Sequence, residues 1–264
     1  RPSVTGSVLM NFLYTSVGII LAIFSGNLWA SVDVLTWETE RGAKVNFVMA
    51  SEIPMVDIRV VFSAGSVRDG GKHGIAKVVN RLLLEGAGKL DAMEFKDRLA
   101  MTGARLYADS LREMAFVSLR TLKTEDYLEE SLELLKLAIS RPRFDPQEIK
   151  RTIEEIQLEL RLQEQSLSAV ADDNLWLSIY KGHPYENSPL GQSEALESLK
   201  RDDLEAFFSN YYVNENAVIS IVGDLGKTEA INLAENLSKQ MLQGEIASPI
   251  PEVTIQPGKT VMIN

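Results

Sequence analysis

Two histidines, His73 and His183, are the only imidazoles in the chain, and there is no cysteine. Without a thiol, a Cys-type zinc finger, an iron–sulfur cluster and a cysteine nucleophile are all excluded, because each needs a thiolate. Two histidines so far apart also make a histidine-rich metal site hard to assemble. What the chain has in quantity is carboxylate: 37 Asp and Glu stand against 27 Lys and Arg, for a formal net charge of −10. That sign argues against a surface built for nucleic-acid phosphates. Its simplest role is a solubilising field, one that favours basic peptides over acidic ones.

The elements that must position any chemistry follow from hydrophobic spacing. With 45% apolar and 24% charged residues in 264, the chain can bury a core and is neither disordered nor collagen-like. Residues 45–49 and 56–62 read as strands separated by a turn at Pro54. A glycine-rich loop leads to a helix over 75–85, with Ile75, Val78, Val79, Leu82 and Leu83 at helical spacing and Gly86 and Gly88 as its stop. A helix over 91–101 is followed by paired strands over 105–110 and 115–120. The helix over 126–140 carries Leu128, Leu132, Leu135 and Ile139 as one stripe. Asp145-Pro146 opens a Glu-rich helix running to about 167, with Ile149, Ile153, Ile156 and Leu160 inward. Helices over 169–180 and 201–211, a buried strand over 217–224 and a helix over 228–242 complete the main body. Residues 244–257, with Pro249, Pro251 and Pro257, read as a linker, and residues 258–264 as the start of a truncated second domain.

Nothing from Pro2 to Val32 is charged at neutral pH, and this stretch holds the apolar run Val17 to Phe24. Residues 1–30 therefore read as a signal peptide, with Met10 as the start, Ser25-Gly26-Asn27 as the helix-breaking region and Ala30 before the cut. The competing reading is an uncleaved membrane anchor, because residues 8–30 exceed the about 20 needed to span a bilayer. Either reading places the folded part, residues 31–243 and beyond, outside the cytoplasm. The absent initiator methionine and the strand beginning at Thr260 suggest a piece of a longer protein.

Gly65-Ser66-Val67-Arg68-Asp69, Gly74-Ile75-Ala76 and the following helix resemble the active-site entry of the pitrilysin/insulinase family of inverted-motif zinc peptidases. The resemblance continues through Phe144-Asp145-Pro146, His183-Pro184-Tyr185, Pro189-Leu190-Gly191, Tyr211-Tyr212 and Val222-Gly223-Asp224, in the family's order. It implies an α+β fold: a mainly antiparallel sheet with helices packed on one face, a metallohydrolase-like unit of the pitrilysin/mitochondrial processing peptidase type.

The family carries His-x-x-Glu-His on its first helix, where positions i and i+4 share a face and grip zinc while the glutamate activates water. The equivalent positions here are Lys77-Val78-Val79-Asn80-Arg81. Lys77 and Arg81 have no lone pair to offer and repel a divalent cation, and Asn80 cannot act as a base. The resemblance puts the third ligand at Glu159, with Glu155 one turn earlier as the alternative register. A surviving Glu159 is expected either to pair with Lys77 or Arg81 or to sit solvated on an acidic helix face. His183 falls in a turn that the resemblance treats as structural, and His73 in the loop before the helix. The family's peptide-binding edge strand maps onto Leu106, Tyr107 and Ala108, with Tyr107 where an asparagine is usual. Leu106 and Ala108 could equally be ordinary core-facing strand residues.

The resulting expectation is a non-catalytic, exported subunit, periplasmic or membrane-anchored, that binds no zinc itself. It pairs with a homologous zinc peptidase subunit and helps enclose peptides; zinc is expected only in that active partner. No nucleic acid is involved, and a membrane only if the leader is retained. The alternatives are a divergent zinc metalloendopeptidase using Glu155, Glu159 and a histidine, and a peptide-binding scaffold.

Overall fold

In the computed structural model, which describes residues 33–254, six strands form one sheet. They are β1 (Leu35–Glu38), β2 (Lys44–Met49), β3 (Met55–Phe62), β4 (Arg105–Ser110), β5 (Ala115–Leu122) and β6 (Ala217–Gly223). Their order is β1-β2-β6-β3-β5-β4. β2 and β6 run parallel; the other neighbours are antiparallel, so the sheet is mainly antiparallel as expected. The leader and the strand expected at Thr260 lie outside the described residues.

Period-two alternation sorts the sheet into two faces. Val56, Ile58, Val60 and Phe62 of β3 are buried together with Val45 and Phe47 of β2, Ile219 and Ile221 of β6, and Val117 and Leu119 of β5. The alternate residues, including Asp57, Arg59, Ser118, Arg120 and Ser220, lie on the opposite face and are exposed or half-buried.

The helices are α1 (Ile75–Leu82), α2 (Ala92–Thr102), α3 (Glu125–Ser140), α4 (Pro146–Glu164), α5 (Leu167–Ile179), α6 (Ser193–Ser198), α7 (Arg201–Tyr211) and α8 (Lys227–Gln240). α1 packs against α4, α7 and β4, and α3 packs against β5. β1 and α6 were not expected: four and six residues respectively are too short to display a period. The helix expected to run to about 167 stops at Glu164, because Ser166 takes a non-helical backbone and its hydroxyl accepts from Ala169 N, starting α5 afresh. The helix expected over 75–85 ends at Leu82, and tighter turns carry the chain on to Gly86.

The entry to α1 is fixed by two close backbone approaches. Gly74, its N-cap, has φ 98°, and Gly191 has φ 84°; a Cβ on Gly191 would stand 2.4 Å from Gly74 Cα and 2.4 Å from the His73 carbonyl oxygen. Only glycine fits a left-handed backbone at that separation. The buried carboxylate of Asp69 accepts from Gly74 N at 2.7 Å and Ala76 N at 3.1 Å, satisfying donors at the helix start.

Residues 243–254 have neither helix nor strand pairing. They are nonetheless held down: Ala247 N donates to Asn216 Oδ1 at 3.2 Å, and the Pro251 carbonyl meets His183 Nε2 at 2.9 Å. Because His183 Nδ1 accepts from Tyr185 N, its Nε2 carries the proton donated to Pro251.

Candidate functional site

α1 is amphipathic in an unusual sense: Ile75, Val78, Val79 and Leu82 fill the core, while Lys77, Asn80 and Arg81 point toward β4, β5, α4 and α7. Their i, i+3, i+4 spacing puts them on one side of the helix.

Lys77 is 7% exposed. Its ammonium donates to Asp109 Oδ1 at 2.7 Å and to the Ser110 carbonyl at 2.6 Å, tying α1 to the end of β4. A cation so deeply buried needs such partners to offset its lost hydration. One helical turn later, Arg81 Nη1 donates to Glu159 Oε1 at 2.8 Å and Nη2 to Glu159 Oε2 at 2.7 Å. This bidentate fork joins α1 to α4. The Glu159 hydrogen bond is the main cause holding the Arg81 guanidinium above its ordinary range, against the opposing effect of burial.

Asn80 between them is fully buried; its Nδ2 donates to the Phe116 carbonyl at 3.3 Å and to the Tyr212 hydroxyl oxygen at 3.2 Å. Burial pushes the Tyr212 phenol well above its ordinary value. Asn80 Oδ1 has no partner among the described residues.

Glu155, the alternative register, is turned to Arg151, whose Nη1 donates to it at 2.6 Å. Glu159 is therefore the long-helix carboxylate that reaches α1. Among the described residues no group of three or more His, Cys, Asp or Glu is arranged to hold a metal ion. The site's donor chemistry does not fit zinc either: Lys77 and Arg81 offer only N–H donors, and both oxygens of Glu159 are engaged.

β4 forms one edge of the sheet, with no strand on its outer side among the described residues. Tyr107 is exposed, its ring 5.9 Å from that of Phe116, while Leu106 and Ala108 are half-buried and pack against the core. Burial, and then the charge of Asp109, raise the Tyr107 hydroxyl. Backbone groups for an added strand and core-packing side chains thus coexist on the same segment.

Asp109 and Tyr212 complete this cluster; the sequence named Tyr212 only as part of the family resemblance and gave neither residue a role in the site. A lysine on the inner side of an apolar helix demands a carboxylate, and Asp109 is the acidic residue of β4; that was the available signal. Nothing local marks Tyr212 as the partner of Asn80, 132 residues away.

Residues 46–193 match the family model described as insulinase (peptidase family M16), and residues 198–263 match the peptidase M16 inactive domain. The chain is 27% identical over 240 residues to the non-peptidase homolog YmxG of Helicobacter pylori, covering 90% of this chain and 54% of that protein. It is 22% identical over 193 residues to the zinc protease PqqE of the same species, covering 72% of this chain and 43% of that one. The crystal structure of a peptidase M16 inactive domain from Pseudomonas fluorescens superimposes with a TM-score of 0.83 at 31% identity, over 84% of this chain and 54% of the other. The chain spans about half the length of these relatives. With residues 46–193, more than half of its length, matched by that model, the chain belongs to the insulinase family, peptidase family M16.

Proposed function

We propose that this chain is a non-catalytic insulinase-family subunit, exported from the cytoplasm, that pairs with a zinc-bearing relative and helps enclose peptide substrates. The carrying observation is the bidentate Arg81–Glu159 pair, which joins the carboxylate that the family resemblance assigns as third ligand to the cation that it assigns to a motif position. With Lys77 committed to Asp109 and Asn80 to Tyr212, these helix positions supply neither a metal-binding pair nor a general base. Its similarity to a non-peptidase homolog, and to a zinc protease of the same species, supports a division of labour between two related chains. The free outer edge of β4 supports peptide contact by strand addition.

The test is to purify the chain alone and together with a relative that carries an intact His-x-x-Glu-His. Alone, it should hold no stoichiometric zinc and cleave no peptide. Together, the two should co-elute and cleave peptides, with activity lost when the relative's motif glutamate is replaced. One equivalent of tightly held zinc in this chain, with peptide cleavage abolished by a chelator, would overturn the reading.

A further inference from the structure

Where β3 ends and β6 begins, the outer face of the sheet borders a cavity of about 790 Å³, a size that takes a small organic ligand. Val61 and Val218, directly opposite each other and half-buried, give it an apolar floor. Met114 and Ile250 extend that apolar surface from two walls, the 111–114 turn and the 246–250 segment. Both walls are fixed. Ser66 N donates to the Leu111 carbonyl at 3.0 Å and Val67 N to the Arg112 carbonyl at 2.9 Å, which holds the turn. The segment is held by the bonds from Ala247 N to Asn216 and from His183 to the Pro251 carbonyl. The cavity is therefore preformed, and filling it costs little ordering.

The charged lining residues are Lys44, Arg68, Arg112, Glu113 and Glu215: three cations against two carboxylates, in a chain whose net charge is −10. Glu113 accepts from the Tyr185 hydroxyl at 2.5 Å, and Lys44 and Glu215 are exposed. Arg112 donates to the Asn187 carbonyl at 2.5 Å and lies 3.7 Å from the Trp176 ring centre; burial lowers its guanidinium, against the charges of Asp173 and Asp172. Arg68 is different. It is half-buried, its Nη2 donates to the Ser63 hydroxyl at 2.9 Å, and among the described residues it belongs to no ion pair and its Nη1 has no hydrogen-bond partner. Such a donor is suited to an ionised acceptor. A phosphate would press its remaining oxygens against Val61 and Val218 without hydrogen bonds, and a cationic ligand would meet Arg68 and Lys44. A carboxylate on a hydrocarbon matches both parts of the lining.

We propose that this cavity binds an apolar carboxylate, the C-terminal residue of a peptide or a free fatty acid, with the carboxylate on Arg68 and the hydrocarbon on Val61 and Val218. None of its lining residues belongs to the Lys77–Asn80–Arg81 cluster, so the site stands whether or not the chain pairs with a zinc-bearing relative. Because residues 246–250 form one wall, occupancy also steadies that segment.

The experiment is isothermal titration of the purified chain with N-acetyl-Ala-Ala-Leu as the free acid and as the C-terminal amide, with N-acetyl-Ala-Ala-Gly acid, with decanoate and with inorganic phosphate. The leucine peptide acid should bind, its amide about tenfold more weakly for want of the charge-assisted bond, and the glycine acid about tenfold more weakly for want of apolar burial. Arg68→Gln should weaken binding of the acid about tenfold and leave the amide unchanged, with thermal unfolding as the check on its fold. If that variant does not fold, the comparison of acid with amide in the parent still decides. Hydrogen exchange at residues 246–250 should slow when the acid is bound. Binding of the peptide acid alone assigns a peptide as the source, binding of decanoate alone a free fatty acid, and either supports the site, as does binding of both. Equal affinity for acid and amide, phosphate bound as tightly as the acid, unchanged exchange at 246–250 with acid bound, or no acid bound with a Kd below about 10 mM would overturn it.

Discussion

Arg81 and Glu159, 78 residues apart in sequence, meet in two parallel N–H···O bonds of 2.8 and 2.7 Å. Their side chains are 27% and 43% exposed, so solvent screens much of the attraction, but the fork geometry keeps the pair above the usual surface value. A double-mutant cycle with Arg81→Met and Glu159→Gln should give a coupling of about 1 kcal/mol in urea unfolding, smaller at high salt. A coupling of zero at low salt would show that the pair does not hold α1 to α4.

Lys77 is the costlier cation to remove. Its ammonium is enclosed and has two acceptors, so Lys77→Ala leaves Asp109 and the Ser110 carbonyl short of a donor. Destabilisation of about 2–3 kcal/mol is expected. Adding Asp109→Ala to that variant should cost less than it does in the parent, because the carboxylate has by then lost its counter-charge. Chemical denaturation of the four proteins checks both statements.

Asp69 makes the fold sensitive to pH. Burial pushes its carboxyl up from 3.8 to about 7, against the pull of the Gly74 and Ala76 N–H groups. The folded chain therefore holds this proton more tightly than the unfolded one. Its contribution is fully present below the unfolded value and is lost as pH rises through the folded value. Asp69→Asn keeps an acceptor oxygen but cannot ionise. Its stability relative to the parent should rise between about pH 4 and pH 7, as measured by urea unfolding at stepped pH; a constant difference across that window would refute the assignment.

Gly191→Ala places a methyl group 2.4 Å from Gly74 Cα and the His73 carbonyl, at a residue with φ 84°. Neither atom is a flexible side chain, so the backbone must move. A loss of about 3 kcal/mol is expected. The same substitution at Gly71, where a Cβ would meet nothing within 4 Å, serves as the control and should leave the melting temperature nearly unchanged.

The framework was readable because its signals are local. Ile75, Val78, Val79 and Leu82 repeat at helical spacing and are all buried, and the alternation in β3 names its inward face correctly. Lys77, Asn80 and Arg81 could be assigned to the motif positions only through the family resemblance. Which carboxylate answers which cation could not be read that way, since it depends on how β4 and α4 approach α1. Lys77 takes Asp109, leaving Arg81 to Glu159.

A bound ion links its ligands only while its free concentration exceeds its dissociation constant. Lys77 and Arg81 carry their charges on covalent tethers, so the links from α1 to β4 and α4 are unimolecular. Dilution cannot strip them, and assembly of this corner of the fold does not wait on metal supply. What still governs these contacts is ionic strength, which acts at any protein concentration.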